Sequence, residues 1–335
     1  MLDNFKFNNN LQATHNLSRM SSINPNNISN IRNRGINVIH NVYQSKYKYG
    51  IASTGLGDFI RGSYFILEFC KLYNFKPKII FNNSISKFLK IKTKNLQTIH
   101  PILNQILSFP NVNFKQFLIT NDNTILEPVK DNGRIMTDFI EYLSFIPIYN
   151  HNVFVYCISY PIINVSLQSK IYMRKILEPS NEMKMEVKKK LNDLELKYKE
   201  FSVIHIRSGD KYLNQNNNVF KKNYINKLIG YVKKLINENY LIPRKKNFLL
   251  ISDNNQIKKI IIDEFPSIKT LYSNITHFGE GVVLEDEKVK NTMIDFYLLA
   301  FSKEIFSFSS YKHGSGFSYW CAQTYNIPYI CTFVE

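Results

Sequence analysis

The stretch FSVIHIRSGDKYLN, residues 201–214, joins a run of apolar and β-branched residues to a cluster of polar ones. The apolar run predicts a buried strand that ends at Arg207. Because side chains alternate along a strand, Val203, His205 and Arg207 are expected on one face. Gly209 follows, and a glycine lets the backbone turn and approach a ligand closely. We therefore predict that a binding site begins at the carboxyl end of this strand.

The rest of the C-terminal half alternates strand-like and helix-like segments. The predicted strands are FSVIHIR, NFLLIS, IKTLYS, EIFSFS and PYICTFV. Helical periodicity predicts helices over residues 220–239, 255–264, 288–302 and 316–325. Strands that alternate regularly with helices form a parallel sheet with helices on both faces. This half is therefore expected to be a doubly wound α/β domain.

The segment GLGDFIRGSYFILEFCKLY indicates the same architecture in the N-terminal half. It follows the strand-like run INVIHNVYQ and precedes a second one, KIIFN. Gly55 and Gly57 are expected to form a tight turn. A helix is expected over residues 58–73, with Asp58 at its start, where a carboxylate suits both the cap and the helix dipole. The order strand, turn, helix, strand is the building unit of a parallel sheet.

The length of the chain, 335 residues, exceeds what one hydrophobic core usually covers. We expect an α/β protein with two Rossmann-like, doubly wound domains that face each other. Residues 1–34 are rich in Asn and Ser and are expected to form a mobile arm. Residues 35–165 would form the N-terminal α/β domain, and residues 166–335 the C-terminal Rossmann-like domain.

The formal net charge is +17, and such a surface attracts anions. A basic nucleic-acid-binding protein is therefore the main alternative to an enzyme. Against it, Lys is spread along most of the chain, and no helix-turn-helix, zinc-finger or RNP-like signature is present. We expect a modest anion site and no nucleic-acid partner.

The four cysteines are scattered and form no Cys-x-x-Cys pair, which argues against a zinc site. The N-terminus lacks the basic and apolar regions of a signal peptide, and no apolar run is long enough to span a bilayer. The expectation is a cytoplasmic protein without a transmembrane segment.

Three predicted strands end in polar residues at the sheet edge where α/β proteins bind ligands. Arg207 could present its planar guanidinium to a phosphate in a bidentate manner. The alternative is a structural Arg207 paired with Asp210, with His205 as an ordinary core histidine.

Asp253 follows the strand NFLLIS, and Ser309 and Ser310 follow EIFSF. Asp253 could accept hydrogen bonds from a ribose or a base. The two serines precede a Gly-rich turn and a helix, where hydroxyls and free amides together bind anions. Capping of the following helices is the alternative in both cases.

These motifs, taken in order, resemble the GDP-fucose-dependent fucosyltransferases. The order is His-x-Arg-x-Gly-Asp, then Ser-Asp-Asn, then a serine-rich strand end followed by GSGFSYWCA. The segment DFYLLAFSKEIFSFSSYKHGSGFSYW is most similar to the last motif of the α1,2 group, within a superfamily that also holds α1,6- and protein-O-fucosyltransferases. The segment GLGDFIRGSYFILEFCKLYNF resembles the first turn and helix of the family. The resemblance covers residues 53–77 and 201–328.

The resemblance implies a GT-B architecture, with the active site in a cleft between an acceptor-side domain and a donor-binding domain. It implies inverting, metal-independent transfer of fucose from GDP-fucose to a glycan hydroxyl, without a cofactor. Arg207 would bind the diphosphate, and Asp253 and the backbone near His205 would hold the nucleoside. The other donor-binding candidates are Gly55, Gly57, Ser309, Ser310, Ser315 and Phe317.

Two departures leave the sugar open. Ser208 stands where the α1,2 group usually has a second Arg, and two serine clusters compete for the phosphate position. Another nucleotide sugar on the same scaffold is therefore an alternative.

The chain has no Asp-x-Asp motif of the kind that holds a divalent ion in many glycosyltransferases. Arg207, hydroxyls and helix amides would then neutralise the departing diphosphate. Asp58 is the favoured general base, with its capping role as the alternative. Asp210 and Glu285 are its rivals.

Overall fold

The computed structural model describes residues 25–44, 55–91, 139–140, 143–144, 148, 150–158, 165–209, 222–240, 247–274 and 285–334. The chain divides into two compact units: the described residues up to Glu178 belong to the first, and those from Pro179 onward to the second. This border lies beyond the one expected between residues 165 and 166. Each unit contains one sheet of parallel strands, so the predicted α/β class is confirmed. The predicted arrangement of two domains about a cleft stays a prediction.

The N-terminal unit is built on a three-stranded parallel sheet. Strand β1 (Val38–Gln44) lies between β2 (Lys76–Asn82) and β3 (Asn152–Val155). The ring of Tyr43 stacks on that of Phe59 at a centroid distance of 4.5 Å, so an aromatic cluster joins sheet and helix. The helices of this unit are α1 (Pro25–Asn33), α2 (Leu56–Tyr73) and α3 (Leu167–Ile176), and a 3₁₀ turn spans Ser84–Phe88.

Helix α2 lies unusually close to the chain that follows β3. A Cβ atom placed on Gly62 would lie 1.8 Å from the carbonyl oxygen of Cys157. The side chain of Asn41 on β1 completes this junction, because it accepts a hydrogen bond from the Cys157 amide at 2.8 Å. It also donates to the Ser63 hydroxyl on α2 at 3.1 Å. Gly62, which has no side chain, and the buried side-chain amide of Asn41 together fix α2 against the sheet.

Two predictions for this unit differ from the structure. Helix α2 begins at Leu56, with Gly55 as its N-cap, so Gly57 and Asp58 lie within its first turn. Gly57 is a buried residue of the helix and is not part of a preceding tight turn. The expected mobile arm ends in helix α1, in which Ile28 and Ile31 are buried. The apolar spacing of these two residues anchors the helix, although Asn and Ser surround them.

The C-terminal unit is built on a five-stranded parallel sheet with the order β6-β5-β4-β7-β8. All five predicted strands are present, although the third is only two residues long. The strands are β4 (Phe201–Arg207), β5 (Asn247–Ser252), β6 (Lys269–Thr270), β7 (Glu304–Ser309) and β8 (Tyr329–Phe333). The helices are α4 (Asn181–Asp193), α5 (Lys222–Tyr240), α6 (Asn255–Glu264), α7 (Asp286–Ala300) and α8 (Gly316–Tyr325).

The two faces of the central strand β4 carry different side chains. Ile204 and Ile206 are buried in a hydrophobic cluster with Leu228 and Val232 of α5. His205 and Arg207 alternate with them and belong to the opposite face, as predicted. The alternation therefore directs a histidine and an arginine away from the apolar cluster. Among the described residues, no helix is long and apolar enough to cross a membrane.

Candidate functional site

The carboxyl ends of three neighbouring strands meet at one edge of the second sheet. In the parallel register, Arg207 at the end of β4 pairs with Ser309 at the end of β7. On its other side β4 pairs with β5, where Ile206 lies opposite Ser252. Asp253 follows Ser252 directly. The polar strand ends predicted to form one site are thus brought together.

Asp253 holds the end of β4 by three hydrogen bonds. Its Oδ2 accepts from Nη1 of Arg207 at 2.5 Å, in an ion pair whose side chains are only 13% and 7% exposed. Its Oδ1 accepts from the amide of Ser208 at 2.9 Å and from the Ser208 hydroxyl at 2.7 Å. Both carboxylate oxygens are therefore engaged within the protein. The capping alternative is wrong, because Asn254 caps α6 by accepting from two amides.

The ion pair orients Arg207 at the strand end. A guanidinium carries five N–H donors in a rigid plane, and a carboxylate on one edge fixes the direction of the rest. The Cζ atom of Arg207 lies 5.9 Å from the centre of the Tyr311 ring, within the range of a cation–π contact. Arg207 is thus a pre-oriented cation, and it remains partly exposed.

Two loops are tied together beside Arg207. Gly209 has φ of +96°, and a Cβ atom there would lie 2.7 Å from the Ser310 hydroxyl oxygen. The Ser310 hydroxyl donates to the Ser208 carbonyl at 2.8 Å, and the Ser310 amide donates to the Arg207 carbonyl at 3.2 Å. The glycine is required both by its backbone angle and by this close approach.

The candidate serines have different roles: some form hydrogen bonds within the loop, and Ser315 is the N-cap residue of a helix. Ser309 is fully buried, and its hydroxyl accepts from the Tyr311 amide at 3.0 Å. Ser315 is the N-cap residue of α8 and makes no side-chain capping hydrogen bond. The first amides of α8 receive no hydrogen bond from the Ser315 side chain, and such amides are able to bind an anion. Capping by Ser309 and Ser310 is wrong, because their hydroxyls serve the loop instead.

His205 lies beneath this edge and is buried. Its Nδ1 is 3.4 Å from the Ser307 hydroxyl, and its ring centre is 6.4 Å from that of Phe317. Burial is the main cause that lowers the pKa of His205 to about 4, and the nearby Asp253 opposes this shift. The imidazole is therefore neutral at pH 7 and acts as packing beneath Arg207. Phe317 also packs edge-on against Phe296 at 5.6 Å.

A cavity of about 380 Å³ lies beyond the carboxyl end of β6. One part of its lining is the segment 271–274, and another is helix α7, with Asn291, Ile294 and Asp295 in the middle of the helix. Asp295 is only 4% exposed, and its carboxyl group lies at the cavity surface. Burial raises the pKa of its carboxyl to about 6, and the positive charge of Lys258 opposes the shift.

Asp295 is the site residue that sequence reasoning did not assign. It is the first residue of the quoted segment DFYLLAF, where one carboxylate interrupts an apolar helix. That interruption was the available signal. Asp295 is connected to the rest of the site by charge, because Lys258 interacts electrostatically with both Asp295 and Asp253.

The candidate base belongs to the N-terminal unit. The carboxylate of Asp58 is 37% exposed and lies 3.2 Å from a guanidinium nitrogen of Arg61. Arg61 is fixed in turn, since its Nε donates to the Ile158 carbonyl at 2.7 Å. Asp58 does not cap α2, because Gly55 occupies the N-cap position.

The structure gives no added support to Asp210 or Glu285 as the general base. Asp210 lies outside the described residues, and Glu285 pairs with Lys288 at 3.0 Å. In the part of the chain that the structure describes, no three His, Cys, Asp or Glu side chains are grouped to hold a metal ion. Metal independence and the roles assigned to the site residues stay predictions.

Comparison with known proteins gives matches among solved structures. No protein-family model and no curated protein sequence matches the chain. NodZ α1,6-fucosyltransferase of Bradyrhizobium, soaked with GDP-fucose, is 12% identical, with a TM-score of 0.49 over 86% of this chain and 92% of NodZ. POFUT1 in complex with GDP is 10% identical, with a TM-score of 0.43 over 89% and 98% of the two chains. FUT1 of Arabidopsis thaliana in complex with GDP is 11% identical, with a TM-score of 0.44 over 93% and 74%. The NodZ structure was soaked with GDP-fucose, and the POFUT1 and FUT1 structures hold GDP.

Proposed function

We propose that this protein is a glycosyltransferase that moves fucose from GDP-fucose to a glycan hydroxyl. The observation that carries the proposal is the pre-oriented guanidinium of Arg207, held by Asp253 at the carboxyl end of the central strand. A partly exposed cation at this edge of a parallel sheet is suited to a diphosphate. The start of α8 follows the adjoining loop, and its first amides would supply further donors.

Arg207 would act on the leaving group. In glycosyl transfer the bond between the anomeric carbon and the phosphate oxygen breaks, and its electron pair leaves with the diphosphate. The protein must neutralise the charge that develops there, and donors fixed in advance do so most effectively. Arg207 is fixed before the donor arrives, because its guanidinium donates to Asp253, which also accepts from the amide of Ser208.

The nucleoside would occupy the cavity beside Asp295. Guanine presents two neighbouring donors, N1–H and the 2-amino group, to which one carboxylate can bind in a bidentate manner. Uracil and adenine lack this pair of donors. Asp295 is a buried carboxylate at the cavity wall, so it suits guanine better than the other bases. Asp253, which its position at a strand end also favours for this role, already accepts hydrogen bonds from Arg207 and Ser208.

The transfer would be a direct displacement with inversion. The acceptor oxygen attacks the anomeric carbon on the face opposite the diphosphate, and its proton passes to a base. We assign this base role to Asp58, whose carboxylate is partly exposed. No metal or other cofactor takes part in this scheme, since Arg207, hydroxyls and the α8 amides carry the charge of the diphosphate.

The proposal is tested by following GDP release from GDP-fucose in the presence of mixed glycan acceptors. Arg207→Lys keeps the charge but loses the planar fork. We expect turnover to fall about 10²–10³-fold, the usual loss when one pre-organised donor is removed. Arg32→Lys on α1 is the matched control: the exposed Arg32 side chain donates to the Tyr73 carbonyl at 2.7 Å, which a lysine can also do, so turnover should stay full. Near-normal turnover of Arg207→Lys, or activity with a UDP-sugar alone, would contradict the proposal.

The metal-independent scheme has its own test in the same assay. Turnover should persist in excess chelator at matched ionic strength. If chelator abolishes turnover and Mg²⁺ or Mn²⁺ restores it, charge neutralisation by Arg207 and the α8 amides is insufficient.

A further inference from the structure

Lys258 on α6 is buried to an extent that is rare for lysine. Its side chain is only 1% exposed, and it lies among apolar neighbours such as Ile257 and Ile261. Lysine is almost never fully buried unless its ammonium group has a partner. The sequence shows no reason for it, because Lys258 and Lys259 form an ordinary-looking pair. Lys259 is exposed, so the two neighbours differ sharply.

The ammonium group of Lys258 forms a hydrogen bond with the backbone of the segment that lines the cavity. Its Nζ donates to the Leu271 carbonyl at 2.8 Å, and Leu271 begins the segment that lines the cavity. Two asparagines hold the same segment. Asn255 donates to the Ser273 carbonyl at 3.2 Å, and Asn291 donates to the Asn274 carbonyl at 3.1 Å. Lys258 is the only one of these three donors that is buried and charged.

Lys258 also acts on Asp295 through its charge. Its positive charge opposes the burial that raises the pKa of the Asp295 carboxyl. In return, Asp295 and Asp253 oppose the burial that lowers the pKa of Lys258. The two side chains form no direct ion pair, so the interaction acts through space. The other charged residues that line the cavity are Lys190, Glu285, Glu287 and Lys288.

We propose that Lys258 is a positioning residue of the nucleoside subsite, which fixes the 271–274 wall and stabilises the Asp295 carboxylate that receives the base. This inference rests on the proposed function, because it takes the cavity to be the place of the guanine. Lys258 itself does not contact the nucleotide. It acts on the wall by a hydrogen bond and on Asp295 by charge.

A purely structural lysine and a positioning lysine differ in how GDP binding depends on pH. A carboxylate that accepts hydrogen bonds from guanine must be ionised, so GDP affinity should fall as the pH drops through the pKa of Asp295, about 6. Removal of a nearby positive charge raises the pKa of a carboxyl. Without Lys258, the loss of affinity should therefore begin at higher pH.

The experiment is isothermal titration of the full chain with GDP between pH 5 and pH 8.5. Wild-type affinity should fall at least about tenfold for each pH unit below the midpoint, because protons compete for the Asp295 carboxylate and also bind the terminal phosphate of GDP. In Lys258→Met the midpoint should move upward by about one pH unit. In Asp295→Asn only the pH dependence from the terminal phosphate of GDP, whose second pKa is about 6, should remain. Lys259→Met, next to it on the exposed face of α6, is the matched control and should keep the wild-type profile.

The outcomes separate the two claims. If the wild type binds GDP and Lys258→Met weakens binding equally at every pH, or not at all, the inference about Lys258 is overturned and the proposed function stands. If the wild type does not bind GDP at any pH, both are overturned. Lys258→Gln, whose amide retains a donor for the Leu271 carbonyl, replaces Lys258→Met if that variant does not fold. Failure of both to fold would make Lys258 a structural residue and overturn the inference.

Discussion

Asp253 decides the geometry of the site at the scale of single residues. The sequence placed this acid at a strand end and left two roles open, a contact to the nucleoside and a helix cap. The structure gives it a third, as the carboxylate that receives Arg207 and Ser208. A buried carboxylate that accepts three hydrogen bonds from its own chain stabilises the local structure. Direct contact with the nucleoside is accordingly assigned to Asp295.

Asp253→Asn should be strongly destabilising. The substitution leaves Arg207 without an anionic partner, and breaking a buried ion pair typically costs about 3–5 kcal/mol. We expect about 3 kcal/mol, since the Arg207 side chain keeps some contact with solvent. The measurement is the free energy of unfolding in denaturant. Asp193→Asn at the exposed end of α4 is the control and should change stability by less than about 0.5 kcal/mol. Equal effects of the two changes would show that the pair contributes nothing.

His205 should make the protein less stable in acid. Its folded pKa, about 4, lies below the ordinary value of 6.5, so the unfolded chain binds a proton that the folded chain excludes. The stabilisation is complete above pH 6.5 and is lost as the pH falls from 6.5 to 4, by an amount on the order of 3 kcal/mol. Asp295 has the opposite effect between about pH 3.8 and 6, because its folded pKa is raised.

Comparison with His205→Asn isolates the histidine, because both proteins keep Asp295. The stability difference between wild type and His205→Asn should shrink as the pH falls from 6.5 to 4. In the wild type, NMR titration should show a His205 ring that stays neutral down to about pH 4. A ring that titrates near 6.5 would refute the burial argument.

The sequence predicts the site residues at strand ends but not those inside helices. Arg207, Ser309 and Ser310 were found because they end predicted strands, and strand ends meet at one edge of a parallel sheet. Lys258 and Asp295 lie inside helices, where their roles depend on which face is turned inward. That orientation follows from tertiary packing, which local patterns do not specify.

Helix α2 illustrates the scale of the element. The sequence predicted its existence and its C-terminal end correctly, because apolar residues recur at helical spacing up to Tyr73. The start was placed two residues late, since Gly55 and Gly57 were taken as a turn. A glycine near a helix end is ambiguous in sequence, and only close packing against another segment shows why it is there.

Gly62→Ala should destabilise the N-terminal unit. The added Cβ would lie 1.8 Å from the Cys157 carbonyl oxygen, a backbone atom that cannot rotate away. The helix or the segment after β3 must move, and overpacking of this kind typically costs about 1–3 kcal/mol or more. The midpoint of denaturant unfolding measures the effect.

Gly230→Ala on α5 is the matched control for Gly62→Ala. A Cβ atom at Gly230 meets nothing within 4 Å, so only helix propensity changes. Alanine should stabilise the helix there by roughly 0.5–1 kcal/mol. Opposite signs for the two substitutions are expected, and a stabilising Gly62→Ala would contradict the close approach of α2 to Cys157.

At the scale of the whole molecule, the sequence predicted the α/β class because strands and helices alternate with regular spacing. It placed the border between the two units too early, because helix α3 packs with the N-terminal unit although it follows that unit's last strand. Loop composition carries no information about which side a helix joins. The net charge of +17 is a property of the entire surface and does not by itself distinguish a nucleotide site from nucleic-acid binding.

The most direct test of the central claim is thermal unfolding in the presence of a nucleotide panel at constant ionic strength. The panel holds GDP, UDP, ADP, CMP and NAD, together with a short DNA duplex for the nucleic-acid alternative. A ligand at about 100 times its dissociation constant stabilises the folded state by about 2.7 kcal/mol, which a melting curve resolves. The site built from Arg207, Asp253 and Asp295 predicts that GDP alone raises the melting temperature. A shift selective for UDP, a shift with DNA that exceeds that with GDP, or no shift with any nucleotide would contradict it.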